Sequence, residues 1–299
     1  MKLLLIGGGG QVGQELRRSL APLGELIVTT RSGLVDGDRC EALDLDQLDS
    51  IRTLIERVRP DVLVNAAAYT AVDRAEDEAG AAFRANAEAP AAMAAACAEF
   101  GALLVHYSTD YVFDGMARRP YQEIDATAPL GVYGTSKLAG EDHIRASGAR
   151  HMILRTAWVY AAHSSNFLRT MLRLAVDRDE LRVVADQVGT PTSARLIADA
   201  TATMVAQQSG VSGLWHLTAA GQTSWHGFAE AIVTQAQARG IIQRAPRVVP
   251  ITTAEFPTRA KRPAYSCLDT SRVISQFGVP LHDWRVALEE ELGRIATKV

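Results

Sequence analysis

Short apolar runs alternate with longer segments of helical period from the start of the chain. Residues 2–6 (KLLLI) are a continuous apolar run of strand length, and residues 11–21 repeat apolar side chains every four positions at Val12, Leu16 and Leu20. Residues 26–29, 62–64, 103–105 and 152–154 read as further buried strands, separated by helix-length segments at 48–58, 80–99 and 138–146. Repeated βα units of this kind predict an α/β fold, a doubly wound parallel sheet of Rossmann type with helices on both faces.

Beyond residue 156 the alternation loosens. Helices are expected at 166–177, 193–207 and 225–239, with a short strand at 181–184, joined by loops rich in Gly and Pro. The predicted organisation is a Rossmann-type domain over residues 1–156 and a smaller lobe over 157–299, mainly for binding substrate, with some segments returning to the first domain. Such lobes grow from loops at the carboxyl ends of the strands, where ligands bind in open α/β sheets.

Composition excludes several classes. Of the 299 residues 47% are apolar and 22% charged, enough for a full core. Lys+Arg 31 against Asp+Glu 34 gives a net charge of -3, which argues against a partner gripped through nucleic-acid phosphates. Cys40, Cys97 and Cys267 are odd in number and never at metal-ligand spacing, which points to a reducing compartment and no zinc site. The N-terminal apolar run is too short for a signal peptide, and no run approaches the ~20 apolar residues of a membrane span. A cytoplasmic protein with no membrane partner is expected. The seven histidines show no HxxH or HxxxH spacing.

Gly7-Gly8-Gly9-Gly10-Gln11-Val12-Gly13 follows the first strand and opens the first helix. Glycine allows the sharp turn and the close approach of a pyrophosphate to amides at a helix N-terminus, where the dipole favours negative charge. Both GxGxxG from Gly8 and GxxGxxG from Gly7 fit, and position favours the second, so Gly7, Gly10, Gln11, Val12 and Gly13 are expected against a dinucleotide. The second strand ends Thr29-Thr30-Arg31, with no carboxylate for a ribose 2′-hydroxyl. Thr30 and Arg31 therefore predict preference for NADPH, its 2′-phosphate meeting Arg31, with NADH as the second choice. Asp44 and Leu45, after the next short strand, are expected to hold the adenine.

His106-Tyr107-Ser108-Thr109-Asp110-Tyr111 follows a strand and so lies at the carboxyl edge of the sheet, and Tyr133-Gly134-Thr135-Ser136-Lys137 comes twenty-four residues beyond Thr109. A helix places Tyr133 and Lys137, four apart, on one face. A phenol has an ordinary pKa of about 10, which a neighbouring ammonium would lower toward useful acid or base strength. Thr109 can hydrogen-bond the same carbonyl oxygen. Thr109, Tyr133 and Lys137 are therefore the candidate catalytic residues, and Arg262, in Lys261-Arg262-Pro263, offers a positive fork for a diphosphate.

The glycine loop, Asn65-Ala66-Ala67-Ala68 ending a strand, Ser108-Thr109-Asp110 ending another and YxxxK at this separation resemble the extended short-chain dehydrogenase/reductase superfamily. Within it, RPDVLVNAAAYTAVDRAE, STDYVFDG, PLGVYGTSKLAGE, DQVGTPTSARLIAD, TSWHGFA and RPAYSCLD make nearly the whole chain similar to the dTDP-4-dehydrorhamnose reductase family. The resemblance implies an NADPH-dependent oxidoreductase of nucleotide-sugar metabolism. It would reduce the C4 keto group of dTDP-4-dehydro-6-deoxy-L-mannose to dTDP-L-rhamnose, a precursor of lipopolysaccharide and O-antigen. It also implies that Tyr133 protonates the oxygen and that Lys137 holds the nicotinamide ribose. By the same resemblance Ala66, Ala67, Ala68, Tyr69 and Thr70 touch the cofactor, and Thr109, Asp110 and Trp158 touch the sugar.

Some members of the family are dimers joined through magnesium held by glutamates. Glu15 matches one of these, but Arg195 stands where another is expected, and an Arg cannot coordinate a cation. That argues against the metal and leaves monomer or homodimer open. Two alternatives share the fold: a nucleotide-sugar epimerase or dehydratase, and a non-catalytic NADP-binding regulatory subunit. Tyr111 in place of a carboxylate after Asp110 and the missing acid at Thr30 disfavour the first. The complete Thr109, Tyr133 and Lys137 set disfavours the second.

Overall fold

Buried strands that must hide both faces set the architecture, and β1 (Lys2–Ile6) shows how. Leu3 and Leu5 point to one side of the sheet, Leu4 and Ile6 to the other, and all four are at most 2% exposed. A computed structural model describes residues 1–207 and 210–297. In it β2 (Glu25–Thr30), β3 (Glu41–Ala42), β4 (Val62–Asn65), β5 (Leu103–Thr109), β6 (His151–Thr156) and β7 (Gly213–His216) join β1 in a parallel sheet of seven strands, ordered β7-β6-β5-β4-β1-β2-β3.

One face is covered by α1 (Gln11–Leu20), by α6 (Ala194–Ala206) and by the Ser271–Phe277 helix, through Leu16, Leu20, Ile197, Met204, Val273 and Phe277. The other carries α2 (Leu48–Val58), α3 (Ala89–Phe100) and α4 (Val132–Ala146), through Ile51, Leu54, Met93, Cys97 and Ile144. A separate apolar core forms where α5 (Phe167–Asp177), α7 (Trp225–Ala238) and α8 (Trp284–Ala296) meet, around Tyr160, Leu172, Phe228, Ile232, Trp284 and Leu288. No helix among the described residues is long and apolar enough to cross a membrane.

The structure extends or corrects four of the sequence-based elements. β5 does not stop at Val105 but continues to Thr109, because its polar residues are buried against partners rather than solvated. Tyr107 meets Thr201 at 2.8 Å, and Ser108 donates to Glu141. β7 (GLWH) is a sheet strand the pattern did not predict: four residues in a glycine-rich context carry too short a period to register. α4 starts at Val132, one residue before Tyr133.

The fourth correction concerns the single helix expected over 80–99. It is instead Ala79–Phe83, a widened π-helical turn over Arg84–Glu88, and then α3, with Pro90 in its first turn. Such turns concentrate at functional sites. Here the widened turn brings the Asn86 backbone against α4, where a Cβ on Gly140 would stand 2.1 Å from the Asn86 carbonyl oxygen. Gly140→Ala is therefore expected to force the two helical segments apart. The cost, about 1–3 kcal/mol as for other overpacked sites, will show as a Tm several degrees lower in thermal denaturation followed by circular dichroism.

Candidate active site

The turn after β1 is built for close approach. Gly7 has φ +84°, and a Cβ there would meet the Ala67 backbone nitrogen at 2.7 Å; one on Gly13 would meet the Gly7 carbonyl oxygen at 2.1 Å. Gly10 precedes α1 with no side-chain cap, and the first turn of α1 carries no acidic residue, so its amides and positive dipole end stay available to an anion. Val12 packs against the core. Gln11 accepts a hydrogen bond from Asn166 at 3.0 Å, linking the glycine turn to the cap of α5.

At the end of β2, Thr30 caps its own turn through Leu34, and Arg31, 83% exposed, lies 3.9 Å from Asp44. The two residues expected around an adenosine thus face each other, beside the buried Leu45. Ala66, Ala67, Ala68, Tyr69 and Thr70 leave the end of β4 as a loop held at both ends. Asn65 accepts from the Ala67 amide at 3.1 Å, and the Asn86 side chain bonds the Tyr69 amide and carbonyl at 2.9 and 3.0 Å. Asn86 also donates to Ser136 on α4 at 3.0 Å. Sequence reasoning did not assign Asn86. Its only signal is an amide set in an alanine-rich helix, a costly placement without a partner.

Thr109 ends β5 and Tyr133 opens α4. The Thr109 hydroxyl lies near the Tyr133 phenol, and the Tyr133 ring meets the Tyr111 ring edge-on, with centroids 5.6 Å apart. Burial pushes the Tyr133 phenol up to about 12, Thr109 drawing it down and the Asp110 charge adding to the rise. Lys137 does not lower it as the spacing suggested. Its ammonium turns to the sheet, 2.5 Å from the Tyr107 carbonyl oxygen and 3.3 Å from Nε2 of His106, and burial lowers its pKa to about 8, partly offset by Glu141. Nδ1 of His106 lies 3.1 Å from Asn65.

Asp110 is 2% exposed; Thr109 donates to its Oδ1 at 3.0 Å, and Oδ2 has no partner among the described residues. Burial pushes its carboxyl up to about 6, against the opposing pull of the nearby Ser266 and Thr109 hydroxyls. Trp158, at φ +47°, stacks on Trp225 with centroids 3.6 Å apart, and its indole lies so close to Gly189 that a Cβ there would sit 2.5 Å away.

Arg262 is not a free fork. It pairs with Asp73 at 2.7 Å and interacts with Tyr111, because the Lys261-Arg262-Pro263 loop folds back over the Val72–Ala75 helix. Glu15 is 3% exposed and bonded to His163 at 3.0 Å and to Arg294 at 2.6 Å. Burial alone would raise its carboxyl, but these two partners outweigh it and hold it at about 2. A carboxylate so engaged, with Arg195 turned toward Asp199 at 3.9 Å, does not fit an interfacial magnesium.

Comparison with known proteins finds relatives along nearly the whole chain. The family described as RmlD substrate binding domain matches residues 1–297. A dTDP-4-dehydrorhamnose reductase of Burkholderia thailandensis is 48% identical, the match covering 96% of this chain and 97% of that relative. Among solved structures, a dTDP-4-dehydrorhamnose reductase from Clostridium acetobutylicum superposes with a TM-score of 0.89 at 36% identity, covering 99% of both chains. One from Bacillus anthracis, solved in complex with NADP, gives 0.87 at 31% identity, covering 98% of this chain and 100% of that one.

Asp110 makes a titration prediction. Its folded-state pKa of about 6 lies above the ordinary Asp value of 3.8, so the folded form keeps an extra proton between those pH values. The resulting stabilisation is full below pH 4 and is lost as pH rises through 6, a difference of about 3 kcal/mol. Urea denaturation of the parent and of Asp110→Asn from pH 4 to pH 7 is expected to show the loss in the parent and its absence in the variant.

Proposed function

This chain belongs to the RmlD substrate binding domain family, and from that membership and the site geometry we propose that it reduces the C4 keto group of dTDP-4-dehydro-6-deoxy-L-mannose with NADPH, forming dTDP-L-rhamnose. The observation that carries the reading is the placing of Tyr133, in the first turn of α4, edge-on to Tyr111 and near Thr109 at the carboxyl edge of the sheet, with its proton held on by burial. Reduction needs a proton donor opposite the incoming hydride, and a phenol with a pKa of about 12 is fully protonated at neutral pH. An epimerase or dehydratase that begins by oxidising the sugar needs the phenolate instead.

The residues fit NADPH. Gly7 and Gly13 leave backbone where a Cβ would collide, and the uncapped N-terminus of α1 suits the pyrophosphate. Gly10, Gln11 and Val12 would flank it, Thr30, Arg31, Asp44 and Leu45 would hold the adenosine end, and Ala66 to Thr70 would line the path to the nicotinamide. When bound, NADPH supplies a hydride at the nicotinamide ring. Tyr133 donates its proton to the carbonyl oxygen, and Thr109, by turning its one hydroxyl hydrogen away from Asp110, would donate to the same atom and orient it. Lys137 would swing its ammonium to the nicotinamide ribose, and with a pKa of about 8 it is mostly charged at pH 7.

Asp110, with one buried oxygen free of partners, accepts from a sugar hydroxyl, and Trp158 walls the sugar site. Arg262, already set beside Tyr111, would meet the diphosphate by releasing Asp73. We assign residues 1–156 to the cofactor and the lobe within 157–299 mainly to the sugar nucleotide. The free thiols of Cys40, Cys97 and Cys267 suit the reducing cytoplasm, and a monomer or a homodimer without magnesium is the proposed state.

Mixing the protein with NADPH and the freshly generated keto sugar is expected to consume reduced-nicotinamide absorbance. Tyr133→Phe is expected to lower kcat by about 10²–10⁴-fold, the usual share of a general acid. A parent that binds NADPH yet consumes none overturns the reading. In the same assay Arg31→Ala is expected to raise KM for NADPH and leave KM for NADH unchanged, and equal changes for both would remove Arg31 from the 2′-phosphate.

A further inference from the structure

Three buried side chains beneath Thr109 and Tyr133 have no part in the chemistry above. Glu141, one turn beyond Lys137 on α4, is 0% exposed and accepts from Ser108 at 2.5 Å and from Nε and Nη2 of Arg155 at 2.9 and 2.7 Å. Arg155 is 1% exposed, its guanidinium 5.1 Å from the Phe113 ring centre. Ser108 and Arg155 are opposite one another in the β5–β6 register, and the next pair is Thr109 and Thr156.

Two consecutive residues of β5 therefore grip α4, and the next lies near it. The Tyr107 carbonyl takes the Lys137 ammonium, Ser108 takes Glu141, and Thr109 stands near Tyr133. The Ser108 grip reaches through Glu141 to Arg155 on the next strand, so a single carboxylate ties the helix to two strands beside the reacting atoms. Stability alone gives no reason for an ion pair here, since apolar residues of similar volume usually stabilise a core as well or better. What the charges add is direction. A bidentate guanidinium–carboxylate pair fixes both position and rotation, whereas apolar packing tolerates sliding.

We propose that Glu141, held by Arg155 and Ser108, is a positioning residue that fixes the seat of α4 on β5 and thereby the spacing of Tyr133, Lys137 and Thr109. The inference rests on the reading that this site reduces a keto sugar. The test compares the parent with the double variant Glu141→Leu/Arg155→Met, which removes both charges of the pair together; because Glu141 also helps keep Lys137 charged, kcat is compared from pH 6 to pH 9, where loss of the Lys137 charge shows as a shifted pH profile and misplacement as a fall at every pH. Thermal denaturation, NADPH binding by fluorescence, and kcat and KM with NADPH and the keto sugar are measured for each.

The expected result is a Tm close to the parent's, NADPH affinity and both KM values within about threefold, and a kcat lower by about 30-fold or more, as ångström-scale misplacement produces. A folded double variant with kcat within about threefold of the parent overturns the proposal. Should the double variant fail to fold, Ser108→Ala carries the test, because it leaves the ion pair whole and cuts only the tie to the Thr109 strand. A fall in kcat of about fivefold at unchanged KM is expected of it, and unchanged kcat overturns the proposal. A parent that turns over no keto sugar refutes the reductase reading instead, so the two failures are distinguishable.

Discussion

Burying the Lys137 ammonium is the demand around which the rest of the site is arranged. A cation taken out of water must find donors' partners in fixed places, or lose its proton. Here the Tyr107 carbonyl supplies one partner and His106 stands beside it, held neutral by burial and by the Lys137 charge itself. Glu141 restores part of the charge that burial would strip away. The polar stretch from His106 to Thr109 can therefore stay in the sheet instead of turning out to solvent, and β5 runs two residues beyond Tyr107, far enough to deliver Thr109 to Tyr133.

The same economy links the loop after β4 to α4. Asn86 sits in a widened helical turn, so its side chain can bond both the Tyr69 backbone and Ser136 while its own carbonyl lies against Gly140. Ser136 in turn donates to the Tyr133 carbonyl at 2.8 Å. A regular helix over the same residues would carry Asn86 round to another face. The π turn thus converts an otherwise unfavourable buried amide into a fixed distance between the loop after β4 and the first turn of α4.

How much of this could be read from the chain depends on how locally each feature is encoded. The strand cores and the glycine turn were legible because each is a contiguous pattern: Leu3 to Ile6 needs no partner to be recognised as buried on both faces, and Gly7, Gly10 and Gly13 carry their own spacing. Thr109, Tyr133 and Lys137 were legible through spacing and family resemblance together, and the structure sets Thr109, ending β5, near Tyr133, opening α4. The ammonium's orientation was not, because the partner that captures it is a backbone carbonyl on β5, and backbone acceptors leave no trace in residue identity. Glu141 and Arg155 look like ordinary exposed charges in sequence, fourteen positions apart, and only the parallel register of β5 and β6 buries them together. Arg262 was read as a cation awaiting an anion; its pairing with Asp73 joins residues 189 apart.

That last pairing belongs to a set of ties that cross from the sheet to the lobe, and together they explain why the lobe packs where it does. Gln11 bonds Asn166 and Arg262 bonds Asp73, each joining a residue at the carboxyl edge of the sheet to one contributed by the second half of the chain, and Ser266 lies near Asp110. Trp158 lies at the junction itself, two residues past β6, in a left-handed backbone conformation that costs a non-glycine residue about 1 kcal/mol or more. The Trp225 stack and the side-chain-free surface of Gly189 offset that cost by holding the indole in one place. Strain of this kind persists only where neighbouring contacts over-determine the geometry. Trp158 is therefore fixed by packing in the second half of the chain, while Lys137 and Glu141 are fixed by hydrogen bonds between α4 and β5, and the cross-ties keep the two in register.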